Sequence, residues 1–131
     1  MLLLDANVCI DVLRGRPDVV ARLSAHGPAG LFLCSVVKAE LAFGARLASD
    51  PLRATDVVDA FCAPFPSLPF DDACVAAYAR LHAHLSAAGS SIGANDLAIA
   101  AIALTHGLAL ISDDAAFDQV PELTVASWRD A

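Results

Sequence analysis

The stretch SIGANDLAIAAIALTHGLALIS, residues 91–112, reads as an apolar helix, a glycine stop and an apolar strand in direct succession. From Leu97 to Leu104 every residue is Ala, Leu or Ile, so this helix offers solvent no polar stripe and belongs in a core. Gly107 is placed to close it in the left-handed conformation that glycine adopts most easily. LALIS, residues 108–112, is short and apolar, which is how a strand covered on both faces reads. One charge interrupts the pattern, Asp96 at the helix mouth.

Outward from this stretch the same alternation continues. LLL, residues 2–4, is a first strand, and a helix over 6–13 ends near Gly15. A second helix covers 18–26, and LFLCS, residues 31–35, is the next strand. Helices over 36–47 and 52–62 follow, the latter after Pro51. Three prolines between 63 and 70 leave room only for a short extended piece around Ser67 and Leu68. Asp71 and Asp72 open a helix over 73–88, DDAAF (113–117) makes a turn, and LTVAS (123–127) is a last strand. Apolar strands separated by helices predict an α/β fold, a central, mainly parallel β-sheet flanked by α-helices on both faces. At 131 residues one domain spanning 1–131 is expected.

Hydrophobic residues make up 57% of the chain and mean hydropathy is +0.61, which points to dense burial or to an apolar surface kept for a partner. No apolar stretch reaches the length of a membrane span without Gly or a charge. MLLLDANV meets Asp5 too early for a signal sequence, so a cytoplasmic location is expected. Cys9, Cys34, Cys62 and Cys74 stand at wide, irregular spacings and read as buried thiols rather than a zinc site. His82 and His84 point to different helix faces, and His26 and His106 precede glycines where helices end, so all four read as structural. The net charge of −7 argues against a general nucleic-acid binder. Its distribution is uneven: residues 1–65 carry six basic and seven acidic groups, residues 66–131 two and eight. Arg14, Arg16, Arg22, Lys38, Arg46 and Arg53 are candidates for a local positive surface, although an ordinary solvated surface has the same composition.

In parallel sheets ligands bind beyond the carboxyl ends of the strands. Asp5 follows the first strand, Asp113 and Asp114 follow LALIS, Glu40 lies in the first turns of the helix after LFLCS, and Asp96 stands at the mouth of the opening helix. Asp5, Asp96, Asp113 and Asp114 each have a plain structural reading as a cap. Asn95 would cap the helix beside Asp96 equally well, which leaves Asp96 free. Glu40 is harder to dismiss, because its neighbours three and four residues away are Val36, Val37, Phe43 and Gly44, and neither Lys38 nor Arg46 sits at pairing distance along the helix. Carboxylates gathered at one rim repel one another unless a cation offsets them. An all-oxygen set without His or Cys selects Mg²⁺ or Mn²⁺. Such ions suit phosphodiester hydrolysis by an activated water.

Five segments also carry a resemblance: LLLDANVCIDVLRG, CSVVKAELAFGA, SIGANDLAIAAIAL, LALISDDAAF and LTVASW, in order along nearly the whole chain. The chain resembles PIN-domain ribonucleases of the VapC toxin family. Carried over position by position, the family's acidic quartet falls on Asp5, Glu40, Asp96 and Asp114, with Asp113 as the alternative fourth acid. Asn7, Ser35 and Ser112 match polar positions that support those acids. Ala6 stands where many relatives carry Thr and Ala94 where many carry Pro, which loosens the hydrogen bonding expected nearby. The resemblance implies a Mg²⁺- or Mn²⁺-dependent endoribonuclease that leaves 5′-phosphate and 3′-hydroxyl ends. It also implies a homodimer and a VapB-type antitoxin partner lying in an apolar groove, for which the segments 36–47 and 52–65 are candidates. Two other readings compete. An aspartyl nucleophile of the haloacid-dehalogenase type would need a second Asp where Asn7 stands. A catalytically silent PIN-like module that binds metal or RNA would use the same acids without turnover.

Overall fold

The computed structural model describes residues 1–130. Five strands form one parallel sheet: β1 (Leu2–Leu4), β2 (Leu31–Cys34), β3 (Ser67–Leu68), β4 (Ala109–Ile111) and β5 (Val125–Ala126), in the order β3-β2-β1-β4-β5. Six α-helices connect them: α1 (Ala6–Leu13), α2 (Pro17–His26), α3 (Ser35–Arg46), α4 (Pro51–Cys62), α5 (Val75–Ala87) and α6 (Ala94–His106). The expected α/β architecture is therefore the observed one. The chain leaves β1 in one direction through β2 and β3, then crosses back to β4 and β5 on the other side. With the right-handed crossovers such sheets use, the helices before and after this reversal cover opposite faces. The reversal also opens a crevice between the carboxyl ends of β1 and β4.

The core has its deepest layer in α6, where Leu97 and every residue from Ile99 to Ala103 are buried. Leu3, Leu4, Leu31, Leu33 and Leu110 are also closed to solvent, as strands covered on both faces require, and so is Phe117 from the segment after β4. Gly107 takes the predicted left-handed conformation, φ 65°, and lets the chain turn straight from α6 into β4.

Several boundaries differ from expectation for local reasons. The helix predicted from residue 73 begins as a 3₁₀ turn at Asp72–Cys74, because Asp71 Oδ1 accepts from the Ala73 N–H and tightens the entry. DDAAF is not a simple turn: Asp114 caps a 3₁₀ helix over Ala115–Gln119 by accepting from Ala116 N–H at 2.9 Å. Asn95 does not cap α6. The cap is Gly93, and Asn95 is an exposed second residue of the helix, which puts Asp96 in its first turn.

All four cysteines are buried and free. Burial pushes the Cys34 thiol up to about 11, so it stays protonated and packs as a small hydrophobe. Of the basic candidates, Arg16 pairs with Asp18 and Arg22 with Asp130, while Arg14, Lys38, Arg46 and Arg53 make no ion pair among the described residues. A cleft between α3 and α4 runs past Gly44, Ala48, Ala54 and Val57, with Ser49, Asp50 and Arg53 at one end, and on the same two helices Phe43 is 65% and Leu52 83% exposed. Among the described residues no helix is long and apolar enough to cross a membrane.

Candidate active site at the carboxyl rim of the sheet

Asp5 is the first residue past β1, where the strand ends and the chain turns into α1. Its Oδ1 accepts from the Ala6 N–H at 2.8 Å, so the capping reading of this residue is correct as far as it goes. The cap uses one oxygen. The other, Oδ2, accepts from the Ser112 hydroxyl at 2.7 Å, across the crevice from the end of β4. Ser112 is a buried hub: its oxygen also accepts from the Asp114 N–H at 3.0 Å and from Asn7 Nδ2 at 3.4 Å. One hydroxyl thus connects the first acid, the first turn of α1 and the loop that carries the last acid.

Glu40 and Asp96 arrive from the two sides of the sheet, on α3 and α6, which meet directly. Glu40 is half-buried at the edge of its helix, beside buried Val37 and Leu41, with Phe43 turned outward. Its Oε1 is buried and has no hydrogen-bond partner among the described residues. Asn7 Oδ1 is likewise buried and unpartnered. Ser35 is exposed at the first position of α3 and takes no part in the Ser112 network.

The electrostatics tie the four acids together. Burial pushes the Asp5 carboxyl above its ordinary range, the Ser112 hydroxyl and the Ala6 N–H work against this, and the charge of Asp114 adds to the rise. Glu40 is raised by burial and then by Asp5 and Asp114. Asp96 is pushed up to about 6, first by burial, then by the charges of Asp114, Asp5 and Glu40. Its place in the first turn of α6 favours a negative charge by a few tenths to about 1 kcal/mol. Burial and the repulsion of the neighbouring acids act against this benefit. Among the described residues none of the four acids pairs with Lys, Arg or His.

Unpaired oxygen donors, mutual repulsion and an orphaned Glu40 oxygen together fit a hard divalent cation. Among the described residues no three of these side chains close tightly enough to enclose an ion unaided. Such openness suits Mg²⁺, which keeps several waters and takes only one or two carboxylates directly.

Asp113, the alternative fourth acid, faces elsewhere. Its Oδ1 accepts from the Ser127 hydroxyl, and its Oδ2 lies 3.3 Å from Arg129 Nε. The structure therefore brings Asp114, not Asp113, to the other three acids. Arg129 was not legible as part of this region, since its partners lie up to 118 residues away in sequence.

Ser112→Ala is expected to lower the rate of any reaction run by these acids roughly 10- to 100-fold, because three bonds that orient them go at once. Circular dichroism should show the fold retained. A rate within twofold of the native chain would mean that Ser112 does not orient the site.

The PIN domain family model matches residues 2–123. Ribonuclease VapC2 of Haemophilus influenzae is 31% identical over 128 residues and aligns with 96% of this chain and 96% of its own. The tRNA(fMet)-specific endonuclease VapC of Shigella flexneri is 27% identical over 127 residues, with 96% of each chain covered. Among solved structures, DNA-bound VapBC from Salmonella typhimurium contains a chain that superposes with a TM-score of 0.91 at 25% identity over 98% of both. With its sheet order, its acidic rim and these alignments along nearly its whole length, the chain belongs to the PIN domain family, in its VapC group.

Proposed function

We propose that this chain is a divalent-metal-dependent endoribonuclease, the toxin of a VapBC-type toxin-antitoxin pair, built as one PIN domain over 1–131 with Asp5, Glu40, Asp96 and Asp114 as its catalytic acids. The observation that carries this reading is the meeting of four acids without a basic partner at the carboxyl rim of the sheet. A bound Mg²⁺ or Mn²⁺ supplies the Lewis acidity that makes water a nucleophile at neutral pH and offsets the charge of the phosphate. Asp5, Glu40 and Asp96 would hold that ion, and Asp114 would orient the attacking water or help to hold a second ion. Asn7 and Ser112 keep Asp5 and Asp114 in register, and Ser35 stands at the same rim on α3. Arg14, Lys38, Arg46 and Arg53, free of ion pairs among the described residues, hold the RNA backbone by charge. Cleavage leaves 5′-phosphate and 3′-hydroxyl ends.

The cleft between α3 and α4 is the surface on which a VapB-type antitoxin docks, and exposed Phe43, Leu47 and Leu52 on and beside these helices extend the apolar area open to it. A homodimer would cover exposed Phe70 and Val75. Such a pair works in the cytoplasm, where its RNA is.

The test is the purified chain incubated with a mixed RNA pool and with tRNA(fMet), in Mg²⁺ or Mn²⁺ and in EDTA, with the cut ends mapped. Cleavage that needs the ion, stops in EDTA and returns with excess ion is expected. Cleavage indifferent to EDTA would overturn the metal assignment. RNA binding without cleavage would favour the silent module.

A further inference from the structure

Residues 127–130 follow β5 and contact Asp113 and Asp11, two carboxylates beside the acidic rim rather than in it. Trp128 is buried and anchors this segment in the core. Next to it, the Arg129 guanidinium forms a two-point fork on Asp11, Nε to Oδ2 at 2.7 Å and Nη2 to Oδ1 at 3.0 Å. Nε also stands 3.3 Å from Asp113 Oδ2, a charge contact without a hydrogen bond, since that buried oxygen accepts none among the described residues. The Ser127 hydroxyl donates to the other Asp113 oxygen and accepts from the Arg129 N–H at 3.0 Å. The Asp11 side chain is only 9% exposed, and this arginine is its ion-pair partner.

The two carboxylates that Arg129 joins are in telling places. Asp11 belongs to α1, the helix that Asp5 caps and that carries Asn7 in its first turn. Asp113 sits between the hub Ser112 and the rim acid Asp114. One of two adjacent aspartates must face the other acids and one must not, and a free Asp113 would add another negative charge to a region already strained by repulsion.

We infer that Arg129 is a positioning residue for the acidic site: by clamping Asp113 to Asp11 and Ser127 it keeps that carboxylate off the rim and aims Asp114 at Asp5, Glu40 and Asp96. This rests on the proposed assignment of those four acids. Arg129 touches neither substrate nor the reacting atoms in this role. Its planar fork suits the task, because a lysine presents a single point charge and does not grip one carboxylate at two points while facing another.

The experiment compares Arg129→Ala with Arg129→Ala/Asp113→Asn in the full chain, following RNA cleavage in Mn²⁺, thermal melting and amide hydrogen exchange. Arg129→Ala is expected to lower kcat roughly 10-fold or more, with KM for RNA within about twofold. The double variant should recover at least about half of that loss on a logarithmic scale, yet melt no higher, because Asp11 still lacks its partner. A purely structural role would instead make rate follow melting temperature. Independently of activity, the Asp114 amide, which donates to Ser112 Oγ, should lose at least about 10-fold more protection in Arg129→Ala than the distant Leu33 amide, which donates to Pro66 O. Native kcat in Arg129→Ala, no recovery in the double variant, or equal loss of protection at both amides would each overturn the inference. If Arg129→Ala does not fold, Arg129→Lys replaces it with the same expected pattern. A native chain that cuts no RNA would count against the ribonuclease reading, whereas the exchange comparison still decides the role of Arg129.

Discussion

Asp96→Asn is expected to cut RNA at least about 10²-fold more slowly than the native chain and, free of metal, to melt at a higher temperature near neutral pH. The two effects have one origin. Asp96 faces three other acids, and burial with their repulsion pushes its carboxyl from 3.8 up to about 6. The folded chain therefore holds this proton more tightly than the unfolded chain does. Stability from this group is complete below the unfolded value of 3.8 and is lost as pH rises through about 6. At pH 7 the native carboxylate is ionised against its neighbours, and the amide of the variant is not. The stability gain should accordingly shrink when both proteins are melted at pH 4. Retained cleavage in Asp96→Asn would sink the site, and a lower melting temperature at pH 7 would show that helix-end attraction outweighs repulsion.

Phe117→Ala is expected to cost about 3–5 kcal/mol, a large share of the roughly 5–15 kcal/mol by which a domain of this kind is stable. Phe117 is fully buried in the 3₁₀ helix that Asp114 caps, against α6, and its N–H donates to the Asp114 carbonyl at 3.2 Å. Truncation leaves a cavity beneath the fourth acid. By calorimetry the melting temperature should fall roughly 10–20 °C, while Phe117→Leu should lose much less. A loss under about 1 kcal/mol would mean that the loop collapses onto the space, and that Asp114 is not held from below.

Much of this molecule is legible in local sequence because its signals are local. The unbroken Ala, Leu and Ile run of α6 has one reading, a helix buried all round, and Gly107 ends it where the left-handed turn is needed. Three prolines confined β3 to Ser67 and Leu68, the two residues it occupies. Boundaries went astray where side chains compete for the backbone. Asp71 tightened the entry to α5 into a 3₁₀ turn, and Gly93 began α6 early enough to leave Asn95 exposed rather than capping. Of the six basic residues that were candidates for a positive surface, Arg16 and Arg22 are held by Asp18 and Asp130, pairings that composition does not reveal.

What the sequence determined by itself was the repertoire: parallel strands joined by helices, and acids at the residues where strands end, since hydrophobic period and strand-end position are written along the chain. Only tertiary structure shows that Asp114, and not its neighbour Asp113, faces Asp5, Glu40 and Asp96. That arrangement depends on Ser112 reaching Asp5 and Arg129 reaching Asp11 and Asp113, contacts between residues 107, 118 and 16 positions apart. Hydrogen bonds and ion pairs act over a few ångströms in space, and nothing in local composition encodes which distant donor arrives there.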